Sequence, residues 1–406
     1  MGNTFLTKDI KSVLRGYNMN IDKKMIKSNI PKIRFNNFEA FWVENRIADI
    51  VKLSAGGDVD KVRLKESGKY PVIANALTNK GIVGFYDDYK VKAPAVTVTG
   101  RGDVGYAVAR HENFTPIVRL LTLQSEDIDV DYLENQINSM RILNESTGVP
   151  QLTAPQLGNY KVYHPEIEEQ SAIGSLFRTL DDLLSSYKDN LANYQSLKAT
   201  MLAKMFPKAG QTIPEIRLDG FEGEWRKLKL RDVVHTNPKS ELPENFKYID
   251  LESVVGTRIE KIREERKESA PSRAQRLAKK GDVFYQTVRP YQKNNYLFKL
   301  DEIDYVFSTG YAQLRPICKR CDSDFLLILL QNNRFLNKVL DRCTGTSYPA
   351  INANELIEIL IAIPSYEEQQ AIGSYFSNLD NLISSNKEKI SQLETLKKKL
   401  LQDMFI

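Results

Sequence analysis

The sequence predicts an α+β fold: two β-rich domains separated by two long helices that pair as an antiparallel coiled coil, the whole a pseudo-twofold internal repeat. Three observations carry that expectation. Residues 165–206, PEIEEQSAIGSLFRTLDDLLSSYKDNLANYQSLKATMLAKMF, realign with 364–405, PSYEEQQAIGSYFSNLDNLISSNKEKISQLETLKKKLLQDMF, at a constant offset of 199, without a gap and with 20 of 42 positions identical. Unrelated helices share far fewer, so the chain is internally duplicated. Within each copy apolar residues recur at alternating three- and four-residue steps. The segments outside the copies hold short runs of β-branched and aromatic residues punctuated by Gly, Asn and Pro, the pattern of strands and turns.

Each copy begins with a proline, Pro165 or Pro364, followed by the acid pair Glu168-Glu169 or Glu367-Glu368. Proline suits a first helical turn, and negative charge there complements the helix dipole. The apolar seam then runs through Ile173, Phe177, Leu180, Leu184, Tyr187, Leu191 and Tyr194, and resumes at Met201 and Met205. The second copy follows with Ile372, Phe376, Leu379, Ile383, Ile390, Leu393, Leu400 and Met404. A period of 3.5 held over about five heptads is a coiled-coil pattern. Such a seam needs a partner, and the other copy is the simplest one. An ordinary pair of amphipathic bundle helices is the bland alternative.

Composition sets the outer limits. A chain of 406 residues has room for two or more domains with their own cores. Its 42% hydrophobic and 27% charged residues are an ordinary soluble balance. No apolar run approaches the roughly 18 residues needed to cross a bilayer, and the start lacks a signal-peptide core, so a cytoplasmic protein with no membrane partner is expected. Cys318, Cys321 and Cys343 are too few and odd in number for a disulfide framework. A net charge of +5 permits an anionic partner without requiring one.

In chain order, residues 1–30 are a polar, Asn- and Lys-rich leader, read as loosely attached or disordered, with Met25 as a second candidate start of translation. PKIRFNNFEAFW at 31–42 is then answered by PEIRLDGFEGEW at 214–225, at an offset of 183. The chain is thus two half-molecules, each a short docking segment, a variable domain and a long helix. The limits are a first domain over 31–150, a central helical spacer over 151–213, a second domain over 214–349 and a distal helical spacer over 350–406. Trp42 and Trp225, the only tryptophans, fall at the same repeat position and read as packing anchors.

The enclosed segments, about 43–150 and 226–349, show no convincing alignment with each other. In the first, YPVIANAL (70–77), GIVGFYDDY (81–89), AVTVTG (95–100), GYAVARH (105–111) and TPIVRLLTL (115–123) read as strands. In the second, FKYIDL (246–251), GDVFYQTV (281–288) and IDYVFSTGYAQLRPI (303–317) do so, while SDFLLILLQNNRF (323–335) reads as helix. A duplicated scaffold carrying two unlike inserts suggests two specificities.

No catalytic constellation is visible. Gly100-Arg101-Gly102-Asp103-Val104-Gly105 matches the dinucleotide fingerprint by letter, but the following YAVARHENF is strand and turn where that fingerprint needs a helix. It reads as a tight strand connection. Cys318-Lys319-Arg320-Cys321 lacks a second CxxC or a His pair, and His111, His164 and His235 are scattered. Neither a phosphate loop nor an amino-methyltransferase motif is present, so no cofactor or metal is expected on this chain.

Charge points to nucleic acid. Residues 258–293 hold eleven Lys/Arg against five Asp/Glu, a local +6 that exceeds the net charge of the whole chain. Arg273, Arg276, Arg289, Tyr291, Lys293 and Asn294, interleaved with Tyr285, Gln292 and Asn295, supply groups able to contact phosphates and read base edges. In the first domain Asn75, Thr78, Asn79, Lys80, Arg101 and Arg110 are the comparable candidates, on a weaker signal. A solvated charged loop is the competing reading.

Taken together, these features resemble the specificity subunit of type I restriction-modification systems. The residues that carry the resemblance are Pro165-Glu168-Glu169-Gln170 with Ile173, Leu180 and Asp181, repeated as Pro364-Glu367-Glu368-Gln369 with Ile372, Leu379 and Asp380. Ile33-Arg34-Phe38-Glu39-Trp42 and Ile216-Arg217-Phe221-Glu222-Trp225 add to it, as do Thr147-Gly148 and Thr344-Gly345 ahead of each helix, Ala270-Pro271-Ser272-Arg273-Ala274, Gly281-Asp282-Val283 and Thr287-Val288-Arg289-Pro290. It covers about 31–406. The resemblance implies a non-catalytic, DNA-binding protein of bacterial defence with two target-recognition domains, each reading half of a split, asymmetric sequence in double-stranded DNA. It further implies that the paired helices separate the halves and dock two modification subunits, which carry S-adenosylmethionine and methylate adenine, and that two restriction subunits join to cleave DNA. The helix-pairing set is Ile173, Phe177, Leu180, Leu184, Leu191, Ile372, Phe376, Leu379, Ile383, Ile390 and Leu393. Two rivals stand beside this reading: a DNA methyltransferase, which would bind S-adenosylmethionine itself, and a tandem coiled-coil scaffold without salt-sensitive DNA affinity.

Overall fold

The computed structural model describes residues 19–21, 29–140, 142, 151–345 and 347–406. Most of the leader, with Met25, and Thr147-Gly148 lie outside the described residues. The chain divides into two compact units, Met1–Asp189 with Asn386–Ile406, and Asn190–Ser385. Both long helices are there, each of 38 residues: a proximal one, Ile167–Lys204, and a distal one, Tyr366–Asp403.

In the first unit one sheet has the strand order Lys52–Ala55, Leu121–Gln124, Ala95–Val98, Ala107–Arg110, every neighbour antiparallel. A second sheet places Tyr70–Ile73 between antiparallel Ile82–Tyr86 and parallel Thr115–Pro116. A two-stranded ribbon, Val43–Arg46 with Lys161–His164, closes the base of the domain. The second unit repeats this plan. Its first sheet runs Val234–Thr236, Tyr311–Pro316, Val283–Gln286, Tyr296–Leu297. Its second runs Arg263–Arg266, Asn245–Ile249, Tyr305–Ser308, Ala274–Leu277, again with one parallel pair, and its ribbon joins Arg226–Lys229 to Leu360–Ile363. The two inserts therefore share the strand order of the first sheet and the parallel pair of the second, which has three strands in the first unit and four in the second, although their letters do not align. A buried strand position asks only for an apolar residue that fits a pleated surface, so sequence drifts while pairing order stays.

Two runs that read as single strands are each divided between two sheets. TPIVRLLTL breaks at Val118 and Arg119, with φ of 53° and 59°, a left-handed conformation that no strand continues. IDYVFSTGYAQLRPI breaks at Thr309-Gly310, and its halves pair in different sheets. Gly100–Gly105 is the expected tight connection, joining Ala95–Val98 to Ala107–Arg110 with Gly102 and Gly105 at φ of 71° and 88°.

The docking segments and helix starts form one joint, built twice. In the first unit the Arg34 guanidinium grips Glu169 through two bonds of 2.7 and 2.6 Å and donates to the Ala40 carbonyl at 2.7 Å, with Glu169 1% exposed. In the second unit Arg217 holds Glu368 at 2.8 and 2.6 Å and donates to the Gly223 carbonyl at 2.6 Å. At the very next position, the Gln170 amide oxygen accepts from the Asp129 backbone N–H at 3.0 Å, and Gln369 does the same for Asp322 at 3.0 Å. Those aspartates cap the domain helices Val130–Ser139 and Ser323–Gln331. The helix crossing is so close that a Cβ on Gly174 would lie 2.6 Å from Asp129 Oδ1, and one on Gly373 2.9 Å from Asp324 Cβ. This explains the repeated Glu-Gln and Gly letters better than helix propensity does.

Trp42 and Trp225 sit inside this joint, 1% and 2% exposed. Trp42 meets Tyr132 edge to face at 6.0 Å, and Trp225 meets Phe206 at 5.8 Å. The seam residues Ile173, Phe177, Leu180 and Leu184 share one buried cluster with Leu393, Leu400, Met404 and Phe405 in the first unit, with Ile390 partly buried beside it. Ile372 and Phe376 join Met205 and Phe206 in the second. The pairing is antiparallel: Asp181 meets Lys397 at 2.6 Å and Lys188 meets Glu394 at 2.8 Å, while Lys198 pairs with Asp380 in the other unit. Leu379 is buried, whereas Leu191 and Ile383, near mid-helix, are only half-buried. No described helix is long and apolar enough to cross a membrane.

Candidate nucleic-acid interface

In the second unit the polypeptide leaves strand Val283–Gln286 and re-enters at Tyr296–Leu297. Between them the loop passes through a short turn, Pro290–Gln292, flanked by Arg289 and Lys293 at φ of 54° and 55°. Left-handed residues other than glycine cost of order 1–3 kcal/mol each and gather where function demands a fixed shape. Arg273, Arg289 and Asn294 line one open cleft of about 430 Å³ with Gln292, Val255 and Tyr348. The Arg289 guanidinium lies over the Tyr348 ring at 4.2 Å. Asn294 accepts from the Gly256 N–H at 2.8 Å and so fixes the tip of the hairpin formed by Val254–Val255 and Arg258–Ile259.

Much of the local +6 is answered by acids outside the basic stretch. Arg263 pairs with Asp250 at 2.9 Å, Lys267 with Glu244 at 3.8 Å and Lys280 with Asp301 at 2.7 Å. Arg273 is exposed and makes no side-chain hydrogen bond or ion pair with a described residue. Tyr291 is 49% exposed on the same loop as Arg289. Lys293 points into the protein instead: its ammonium donates to the Gln331 carbonyl at 2.8 Å and to Asn333 Oδ1, and burial lowers its pKa. Arg276, on strand Ala274–Leu277, is half-buried with an unpaired Nε, and burial lowers its pKa too.

The first unit gathers its candidates at the corresponding end of its sheets. Thr78, Asn79 and Lys80 are exposed on the turn Thr78–Gly81, in which Asn79 and Lys80 have φ of 48° and 49°. Arg110 is buried beneath that turn, donating to Thr97 Oγ1 at 2.9 Å and to the Lys80 carbonyl at 2.7 Å. Burial pulls the Arg110 guanidinium down to about 10, with Glu134 and Tyr106 acting the other way. Asn75 spends its amide on two loops, donating to the Val118 carbonyl at 2.6 Å and accepting from the Gly100 N–H at 2.7 Å. Arg101 is exposed on the loop that Asn75 holds.

Sequence reasoning missed Tyr348, Val255 and Gln286. Nothing in the sequence links Tyr348 to Arg289, because their contact depends on the backbone pairing of Val288 and Arg289 with Pro349 and Ala350. Gln286 did carry a signal, a polar residue closing the apolar run Val283-Phe284-Tyr285. Among the described residues no cluster of three or more His, Cys, Asp or Glu side chains could hold a metal ion.

Two units of similar strand order, each with its own antiparallel helix segments and its own strained, polar loops of different sequence, define a duplicated recognition protein. A family model of the type I restriction modification DNA specificity domain matches residues 40–193 and 222–395, and the chain belongs to that family. Over 273 residues, 63% of this chain and 64% of the relative, it is 25% identical to the specificity subunit of the type I restriction enzyme MjaVIII from Methanocaldococcus jannaschii. Over 191 residues, 45% of this chain and 41% of the relative, it is 25% identical to the HindI specificity subunit from Haemophilus influenzae. The chain thus spans less than two thirds of the length of these curated relatives. In fold it is similar to the crystal structure of a type I restriction-modification S subunit from M. genitalium, with a TM-score of 0.66, 17% identity, and coverage of 93% of this chain and 99% of that one.

Proposed function

We propose that this chain is the non-catalytic DNA-reading subunit of a type I restriction-modification complex. Each unit reads one half of a split target in double-stranded DNA, and the paired helices dock two modification subunits. Those subunits carry the S-adenosylmethionine, and two restriction subunits complete the cleaving assembly. The chain itself holds no cofactor, and it works in the cytoplasm. The observation that carries the reading is the placement of unlike polar loops, Arg273, Arg289 and Asn294 in one unit and Thr78, Asn79 and Lys80 in the other, at the corresponding end of sheets with similar strand order.

Exchange of residues 43–149 for the corresponding domain of a relative tests it. The modified or selected target should change in one half-site and keep the other. A change in both halves, or in neither, would overturn the assignment of one reader per unit.

A second test removes single cations. Arg273→Ala or Arg289→Ala should weaken binding to the selected target by about 1–3 kcal/mol where the guanidinium meets a base edge. A phosphate contact would instead lower affinity across all sequences and reduce the salt slope by about one. Titration at several ionic strengths separates the two, and unaltered affinity and slope would return both residues to the solvated surface.

A further inference from the structure

Gln286 is 1% exposed and borders the cleft of Arg273 and Arg289, and among the described residues its amide hydrogen-bonds with groups of the loop that follows it. Its Nε2 donates to the Val288 carbonyl at 2.8 Å and to Gln292 Oε1 at 2.7 Å. Its Oε1 accepts from the Asn294 N–H at 3.2 Å, and its own N–H donates to Asn295 Oδ1 at 2.9 Å. One side chain therefore ties both limbs of the loop that bears the left-handed Arg289 and Lys293. The first unit reaches the same end from a different place in the chain. Asn75 staples the 99–106 connection to the 117–119 crossover, through Gly100 and Val118, and itself leads into the turn holding Asn79 and Lys80. Four left-handed residues, Asn79, Lys80, Val118 and Arg119, surround that staple.

A loop held in a strained shape before DNA arrives loses no ordering entropy on binding, and it offers its side chains in one arrangement only. We infer that Gln286 and Asn75 are positioning residues for base reading: each presets the loops of its own unit through its amide and sets half-site discrimination without contacting a base. This rests on the proposal that those loops read DNA. The amide is necessary because both faces of the clamp are used, a donor toward carbonyl oxygens and an acceptor toward backbone N–H groups. A carboxylate of the same shape keeps the acceptor and turns the donor contacts into repulsions.

Gln286→Glu and Asn75→Asp test this in the full chain, with a library of DNA duplexes randomised over both half-sites as the probe. Gln286→Glu should lower discrimination at one half-site by tenfold or more while the other half-site and the salt slope stay at their parental values. Asn75→Asp should do the same at the opposite half-site. Gln286→Met, which keeps the shape and removes the hydrogen bonds, carries the same expectation if the carboxylate variant does not fold. Parental preference at both half-sites in folded variants would overturn the inference and leave the DNA-reading proposal standing, as would a uniform loss of affinity across all sequences. A parental chain that selects no sequence at all overturns both.

Discussion

Arg34→Met should lower the unfolding free energy by about 3–5 kcal/mol, the cost of leaving one member of a buried ion pair without its partner. Glu169 is 1% exposed, and both its oxygens are engaged by Arg34 at 2.7 and 2.6 Å. Without the guanidinium the carboxylate faces a cluster made of Trp42, Tyr132, Ile173 and Phe177. The same substitution frees the Ala40 carbonyl, which Arg34 holds at 2.7 Å. The double variant Arg34→Met with Glu169→Leu should recover most of the loss, because a buried pair is often replaceable by apolar residues at little net cost. Chemical denaturation of the three proteins provides the comparison. A single variant within about 0.5 kcal/mol of the parent, the range of an ordinary surface substitution, would show that the joint does not depend on this pair.

That joint marks how far the sequence could be read. The helices were legible because a seam of period 3.5, repeated at a fixed offset, leaves one stripe that must be covered. Arg34 and Glu169 were legible as repeated letters, but not as partners, since 135 residues separate them and only the fold sets their distance. The strand order that the two inserts share was not legible at all. Strand pairing depends on which edge each chain segment meets, and that information lies in the turns, where Val118 and Arg119 break a run that composition reads as continuous. The interface was legible as charge and not as geometry. Arg110 and Lys293 carry the expected charge, yet each is committed to a carbonyl of its own unit. Gln286, uncharged and inside a strand, ties the loop together.

Trp225→Ala should cost about 3–5 kcal/mol, as large-to-small changes of buried aromatic residues do. The ring is 2% exposed and packs edge to face against Phe206 at 5.8 Å and Phe325 at 6.1 Å. Phe206 lies two residues beyond the end of the proximal helix, and Phe325 belongs to the domain helix Ser323–Gln331, so through Trp225 the docking segment touches both. Alanine would leave a cavity beside these two stacked rings, and the rigid walls of a joint collapse poorly. The indole Nε1 has no hydrogen-bond partner among the described residues, which yields a sharper expectation. Trp225→Phe loses volume but no hydrogen bond, so it should cost much less than Trp225→Ala. Denaturation followed by circular dichroism measures both, and Trp42, then the single tryptophan, reports the state of its own unit by fluorescence in each variant. Equal losses for phenylalanine and alanine would show that the indole N–H, and not the bulk of the ring, holds the joint together.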